Sequence, residues 1–365
     1  MSGSTFGNIL KITTWGESHG AAVGAVIDGI PSGLSLCEED IQKFLDRRKP
    51  GQSKFTTGRA EDDKCEILSG VFEGKTTGTP ISIMVRNKDH HSADYSNIAE
   101  SYRPGHADFT YDAKYGFRDY RGGGRSSGRE TIGRVMGGAI AVRLLESLGV
   151  KFVTYTKAIG PVSIEDIYNE EALDTINSNP LFMPDKAKAD EATKYLESII
   201  ADGDSAGGII ECVISNVPAG LGDPVFDKLS ANLAKAICSI GAVKAFEIGD
   251  GTKAATLKGS ENNDLFGKGG VLRTNHSGGI LGGISTGAPI VLRAHIKPTP
   301  SISSPQKNIN NKGEEIELTI KGRHDPVIVP RAVVVVESMA AIAIADALLA
   351  GATSRMDNIF KIFKN

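Results

Sequence analysis

Residues 332–351 read AVVVVESMAAIAIADALLAG, the most apolar stretch of the chain, and two charges, Glu337 and Asp346, interrupt it. A run of this length could cross a bilayer, but carboxylates in mid-run argue against a membrane span. The stretch is expected to form a buried or amphipathic element, and no membrane association is expected. The chain has 365 residues, 40% of them apolar and 23% charged, which suffices for a sizeable core in one large domain or two small ones. No internal repeat and no low-complexity linker divides it, so one α+β domain over residues 1–365 is expected. MSGSTFGNILKITTWGESHG has neither a basic start nor an apolar run, so no signal peptide is read there and the expected location is the cytoplasm. The cysteines are Cys37, Cys65, Cys212 and Cys238, with no CxxC pair and no zinc spacing. They are expected as reduced thiols, buried or half-buried.

Local patterns place several elements. KITTWGESHGAAVGAVIDGIP (11–31) reads as short strands around a glycine-rich turn. EEDIQKFLDRRKPG (38–51) reads as a helix with Ile41, Phe44 and Leu45 at helical spacing, stopped by Pro50-Gly51. ISIMV (81–85), PIVLRAHIK (289–297) and EEIELTIK (314–321) read as strands. Residues 86–128 are polar and glycine-rich with little periodicity, which favours a functional segment over a slack one. From 129 the apolar positions Ile132, Val135, Met136, Ala139 and Ile140 follow a helical period, and Ser127 and Glu130 stand at capping-box spacing. A further helix is expected at 225–239, and a surface helix pair or excursion at 165–200.

The segment DYRGGGRSSGRETIGR (119–134) concentrates four arginines among glycines and serines in a chain of net charge −3. It superficially resembles an RNA-binding RGG tract, but it occurs once, abuts a helix and sits in a mildly acidic chain with 6% aromatics. No nucleic-acid partner is expected. Glycines let backbone N–H groups point inward, Ser126 and Ser127 add hydroxyls, and the helix N-terminus adds unpaired donors and partial positive charge. Arg125 and Arg129, four apart, would share a face if the helix begins early. Arginine suits bidentate contact with phosphate or carboxylate. The combination describes a site for an anion carrying several charges. GVFEGKTTG (70–78) is one residue too short for a P-loop and reads as a turn between two strands. No strand-flanked GxGxxG supports a dinucleotide fold.

Other rigid loops carry the same character. Arg47, Arg48 and Lys54 flank a Pro-Gly turn, RPGHAD (103–108) sets Arg103 and His106 beside another, KPTPS (297–301) leaves a strand with a lysine and two prolines, and GRHDPVIVPR (322–331) gathers Arg323, His324, Asp325 and Arg331. His19 in GESHG and His106 stand on tight glycine turns, where imidazole can exchange protons near neutral pH. The histidine and cysteine spacings support no metal site.

In this order these blocks resemble one family, chorismate synthase. The resemblance rests on TTWGESHG (13–20), DRRKPGQS (46–53), SGVFEGKTTGTPI (69–81), RPGHADFTYDAKYG (103–116) and DYRGGGRSSGRETIGRV (119–135). It continues through GDSAGG (203–208), SIGAVKAFEIGDG (239–251), NHSGGILGGISTGAPI (275–290), KPTPSI (297–302) and GRHDP (322–326), and is weakest over 160–200. It implies a β-α-β sandwich, a helical layer between antiparallel sheets, assembled as a homotetramer. It implies a lyase that converts 5-enolpyruvylshikimate 3-phosphate to chorismate and phosphate by 1,4-anti elimination, the last shared step of the shikimate pathway toward the aromatic amino acids, with reduced FMN as cofactor. NADPH enters only if the protein reduces its own flavin. The absence of an added nucleotide fold favours an external supply.

By the same resemblance His19 protonates the reduced flavin, His106 acts as acid at the departing phosphate, and Asp325 lies near flavin N5. Arg48, Arg129 and Arg323 clamp the substrate's anions, with Lys54 and Arg103 assisting. Arg125, Ser126, Ser127, Gly241, Ala242, Gly278 and the loop Lys297, Pro298, Thr299, Pro300 and Ser301 line the flavin. Some relatives carry arginine where Lys54 stands. The alternative is a non-catalytic module that binds FMN or another anion on the same loops, and His19, His106 and Asp325 discriminate the two.

Overall fold

The computed structural model describes residues 3–51, 55–56, 62–87, 101–120, 122–165, 175–310, 313–320 and 325–364. Two five-stranded sheets, all pairs antiparallel, enclose a helical layer. The first sheet is built from β1 (Thr5–Phe6), β2 (Lys11–Gly16), β3 (Ala22–Asp28), β4 (Cys65–Ile67) and β5 (Ile81–Arg86), in the order β1-β2-β3-β5-β4. The second is built from β6 (Lys151–Ile159), β7 (Val162–Ser163), β8 (Gly208–Ser215), β9 (Val243–Ile248) and β10 (Ile290–Ile296), in the order β9-β10-β8-β6-β7. The helices are α1 (Glu38–Arg48), α2 (Asp108–Tyr115), α3 (Thr131–Glu146), α4 (Lys186–Ala201), α5 (Leu229–Cys238), α6 (Val329–Gly351) and α7 (Met356–Phe363).

Helix α1 follows directly from its sequence. Glu38, Glu39 and Asp40 occupy its first turn and Arg47 and Arg48 its last, matching the helix dipole. Asp40 reaches back to the Cys37 N–H at the N-cap, and Pro50 forbids continuation beyond Lys49. The β2–β3 hairpin forms around residues 17–21, and 70–78 forms the expected short hairpin, with Val71–Phe72 paired to Lys75–Thr76.

Helix α3 packs on β2 and β3 with one side and on α6 with the other. It can be buried all round because it carries glycine where its neighbours approach. A Cβ on Gly137 would stand 2.4 Å from Ile12 Cδ1 on the sheet, and one on Gly138 would stand 2.1 Å from Ser338 Cβ on α6. The expected capping box at its start does not form. Ser127 instead accepts from the Arg129 N–H in a 3₁₀ turn over Gly128–Glu130, and the helix begins at Thr131. Glu130 is drawn elsewhere, accepting from Thr14 Oγ1 at 2.9 Å and Arg134 Nε at 2.8 Å.

Helix α6 has the length and apolarity of a membrane span, yet it lies buried against β6, β8, α3 and α5. Both its acids are compensated. Glu337 accepts a bidentate pair from Arg47, at 2.6 and 3.0 Å. Asp346 accepts from the backbone N–H groups of Asn8, Ile9 and Leu10 at 2.7–2.9 Å, fixing the turn before β2. A buried charge persists only with such partners.

Three further expectations need correction, and a fourth is left open. The helix expected at 225–239 starts at Leu229, with Val225 at φ 64° and Phe226 exposed in the preceding loop. The excursion expected at 165–200 includes α4, whose Ala189, Ala192 and Leu196 are buried, and residues 175–176 are helical too, while 166–174 lie outside the described residues. The strand expected at 314–321 is Glu315–Leu318, paired with Gln306–Ile309. Of the four free thiols, Cys238 is exposed rather than buried.

Candidate active site

Gly122, Gly123 and Gly124 have φ of 76°, 137° and 53°, a backbone path open to glycine and strained for other residues. This ribbon runs against both histidines. A Cβ on Gly122 would sit 2.2 Å from His19 Cε1, and one on Gly123 would sit 3.2 Å from His106 Cε1. His19 comes from the β2–β3 turn, where its Nδ1 lies 3.1 Å from Ser18 Oγ.

His106 comes from the turn that leads into α2. Asp108, the first residue of that helix, accepts from Arg103 Nε at 2.8 Å and Arg103 Nη2 at 2.7 Å, and lies 2.9 Å from His106 Nδ1. Burial pushes the Asp108 carboxyl up, but the bonds from Arg103 and His106 outweigh it and hold the group well below the usual carboxylate range. Lys297 Nζ donates to Gly105 O at 2.6 Å, and a Cβ on Gly105 would stand 3.2 Å from Pro300. The strap 297–301 therefore lies on the His106 turn. Its start is joined to Ala242, at φ 72°, through Lys297 N–H to Ala242 O at 3.0 Å. Burial, with Lys244 nearby, lowers the Lys297 pKa. Ser205 Oγ donates to Thr299 O, Ser301 is buried, and buried Thr299 Oγ1 has no partner among the described residues.

The arginines form a second cluster. Arg48 is buried at the end of α1 and donates to Asp63 Oδ2 at 2.6 Å, while Arg129 Nη1 donates to Asp63 Oδ1 at 2.9 Å. Burial pulls Arg48 down to about 10. Asp63 opposes that shift, and Arg331 and Arg129 add to it. Arg331 donates to Arg48 O at 3.1 Å and pairs with Asp325 at 2.5 Å. Asn87 links this cluster to the His19 turn. Its amide donates to Glu17 O and Gly20 O, and its Oδ1 accepts from Arg129 Nε at 2.5 Å.

The structure thus brings His19, His106 and Arg103 to the glycine ribbon, sets Ala242 and the 297–301 strap against the His106 turn, links Arg129 to the His19 turn through Asn87, and joins Arg48 to Arg129 through Asp63 and to Asp325 through Arg331. It separates others. Arg125 and Arg129 share no face. Arg125 is turned to β2, donating to Gly16 O, Thr14 O and Thr14 Oγ1, because α3 starts too late to align the two. Ser126 Oγ donates to Gly123 O and Ser127 serves as the 3₁₀ cap. Gly241 adjoins Ala242, but Gly278 packs on Gly249 at the opposite end of β9, about 20 Å away by strand rise. Lys54 and Arg323 lie outside the described residues.

Asp63, Asn87 and Asp108 escape a reading of single motifs, whereas Arg331 was named beside Asp325 in its loop. Asp108 stands inside a quoted block, and its proximity to His106 was the available signal. Asp63 and Asn87 have none, since their partners lie far away in the chain. Chemically, the arrangement offers two imidazoles on one ribbon, flanked by cations held by acids. Such a setting suits proton transfer to and from a polyanion.

The family model described as chorismate synthase matches residues 10–349. A chorismate synthase of Agathobacter rectalis is 64% identical over the full length of both chains. One of Methanosarcina mazei is 53% identical over 96% of this chain and 97% of its own. A crystal structure of chorismate synthase aligns with a TM-score of 0.76 at 33% identity, covering 98% of this chain and 97% of that one. With that agreement across sequence, fold and whole length, the chain belongs to the chorismate synthase family.

Proposed function

We propose a division of labour among this chain's residues for the chorismate synthase reaction. That reaction eliminates phosphate and a C6 hydrogen from 5-enolpyruvylshikimate 3-phosphate to give chorismate. The substrate carries two carboxylates and a phosphate, roughly −4 at neutral pH. A chain of net charge −3 must gather cations locally to hold it.

Reduced FMN fits the residues present. Lys297 is a partly desolvated cation, Thr299 Oγ1 is a buried hydroxyl without a partner among the described residues, and the glycines of the ribbon add no side chains of their own to fill the space beside the two imidazoles. The 297–301 strap, Gly241, Ala242, Ser126 and Ser127 are the residues assigned to hold it. Arg125 supports them by tying the ribbon to β2. Arg323 and Gly278 join this set on family resemblance alone. When bound, reduced FMN lends electron density to the allylic system as the C–O bond breaks and then recovers it.

The remaining roles fall to the protein. Arg48 and Arg129, splayed by Asp63, hold the substrate's anionic groups, with Lys54 assisting. His106 gives a proton to the departing phosphate. His19 carries a proton on the cofactor side. Asp325, oriented by Arg331, serves the side from which the C6 hydrogen leaves. The whole chain acts as one domain, in a cytoplasmic homotetramer, with reduced flavin supplied externally rather than through bound NADPH.

The observation that carries this reading is the pair of imidazoles set against adjacent glycines of one ribbon beside the arginine cluster. The test is an anaerobic assay with chemically reduced FMN and 5-enolpyruvylshikimate 3-phosphate. Equimolar phosphate and chorismate are expected, and neither with oxidised FMN. FMN binding without product would defeat the assignment.

A further inference from the structure

Asp108 has been given no part in the chemistry so far. It is 4% exposed and opens α2. Its Oδ2 accepts from the backbone N–H of Arg103 at 3.0 Å and from Arg103 Nε at 2.8 Å. Its Oδ1 accepts from Arg103 Nη2 at 2.7 Å and lies 2.9 Å from His106 Nδ1. Both oxygens are therefore engaged by cationic donors, an arrangement that stabilises the ionised form.

An ionised carboxylate has no hydrogen to donate. The hydrogen between Asp108 and His106 must therefore sit on Nδ1. A neutral imidazole carries one N–H, so Nε2 is then bare. Arg103 Nη2 also lies 3.0 Å from Nδ1 and gives one of its two hydrogens to Asp108 Oδ1. Were Nδ1 bare to accept the other, its lone pair would face the ionised Asp108 Oδ1 at 2.9 Å, which disfavours that tautomer. Nε2 meanwhile faces the ribbon, 3.3 Å from where a Cβ of Gly123 would be.

We propose that Asp108 is a positioning residue for His106, fixing the Nδ1–H tautomer so that Nε2 is the atom that exchanges the proton. The inference rests on His106 being the acid at the departing phosphate. Arg103 acts one step further out by keeping Asp108 ionised and aimed. Around His106 stand Asp108 and Arg103, with Lys297 donating to the Gly105 carbonyl of the same turn. Without the Asp108 carboxylate the hydrogen is no longer held on Nδ1.

The experiment uses full-length protein with bound FMN and ¹⁵N-labelled histidine, His106 being assigned by loss of its signals in His106→Gln. Above its titration the wild type is expected to show Nδ1 protonated and Nε2 bare. Asp108→Asn is expected to shift that tautomer, to lower kcat by about 10²-fold or more, and to leave KM within about 3-fold. Asp108→Glu should recover at least about tenfold of the loss. A wild-type His106 protonated on Nε2 would overturn the proposal, and so would Asp108→Asn with unchanged tautomer and kcat, since a purely structural role would leave the tautomer in place. If Asp108→Asn does not fold, the wild-type tautomer and the tautomer and kcat of Asp108→Glu still decide. If His106→Ala keeps full turnover while the tautomer still responds to Asp108, the acid assignment falls and the positioning geometry stands.

Discussion

Replacing Gly122 by alanine tests whether the ribbon and His19 form one unit. Gly122 has φ 76°, where an alanine carries about 1–2 kcal/mol of strain. The new methyl would lie 2.2 Å from His19 Cε1, 2.4 Å from Nδ1 and 3.2 Å from Ser18 Oγ. Ordinary carbon contacts are about 3.5–4.0 Å, so ring or ribbon must give by roughly 1.3–1.8 Å. The half-buried ring is the easier part to move, and moving it breaks its 3.1 Å contact with Ser18. A misplacement of about 1 Å lowers turnover by about 10²-fold, equivalent to about 2.7 kcal/mol of barrier. Gly122→Ala should therefore lose that much kcat in the anaerobic phosphate-release assay, while its unfolding free energy falls only by the strain. The decisive control is the His19→Ala background, where no ring remains to displace. There the added alanine should lower turnover by less than about 3-fold. Wild-type kcat in the single variant, or an equal loss in both backgrounds, would refute the reasoning.

Three further outcomes follow from the packing and charge pairs. Gly138→Ala places a methyl 2.1 Å from Ser338 Cβ, so despite a helix-propensity gain of about 1 kcal/mol it should destabilise by about 1–3 kcal/mol in urea unfolding. Adding Ser338→Gly should relieve part of that, and a stabilised single variant would contradict the tight α3–α6 crossing. Asp63→Ala strips the shared counter-ion from Arg48 and Arg129 and should lose about 3–5 kcal/mol of stability together with a raised substrate KM, so unchanged values in both would refute its role. Asp108 is depressed below its ordinary 3.8, so its stabilisation is fully present above about pH 4 and disappears as pH falls through the folded value. The stability gap between wild type and Asp108→Asn should accordingly narrow below pH 4, and a gap that widens there would reverse the sign of the argument.

What was legible in the sequence was what neighbours in the chain decide. Helix α1 shows its charged ends and its proline stop within fourteen residues, and the glycine turn between β2 and β3 sits between two alternating runs. The histidine turns and the cationic loops were visible as motifs. The two acids inside the apolar run were rightly taken to exclude a free span, although their partners, Arg47 and the amides of 8–10, were invisible. The misreadings share one cause. Ser127 and Glu130 had the right spacing for a box, but Thr14 and Arg134 compete for Glu130 and win. Arg125 and Arg129 would have aligned on an early helix start, but the helix begins at Thr131 and Arg125 turns to the β2 carbonyls. Asp63 could not be found from its surroundings, because it gains its partners only when Arg48 and Arg129 arrive from elsewhere.

The carboxylate of Asp346 has a consequence for how the chain is made. It holds the turn before β2, one of the earliest segments synthesised, from a position 336 residues beyond Leu10. At about 5–20 residues per second the ribosome needs roughly 17–67 s to supply it. During that interval the amides of Asn8, Ile9 and Leu10 lack their partner, and α3, already able to pack on β2 and β3, must wait with the side that α6 will cover exposed. Helix α6 thus acts as a latch, closing the helical layer and the N-terminal turn in one late step.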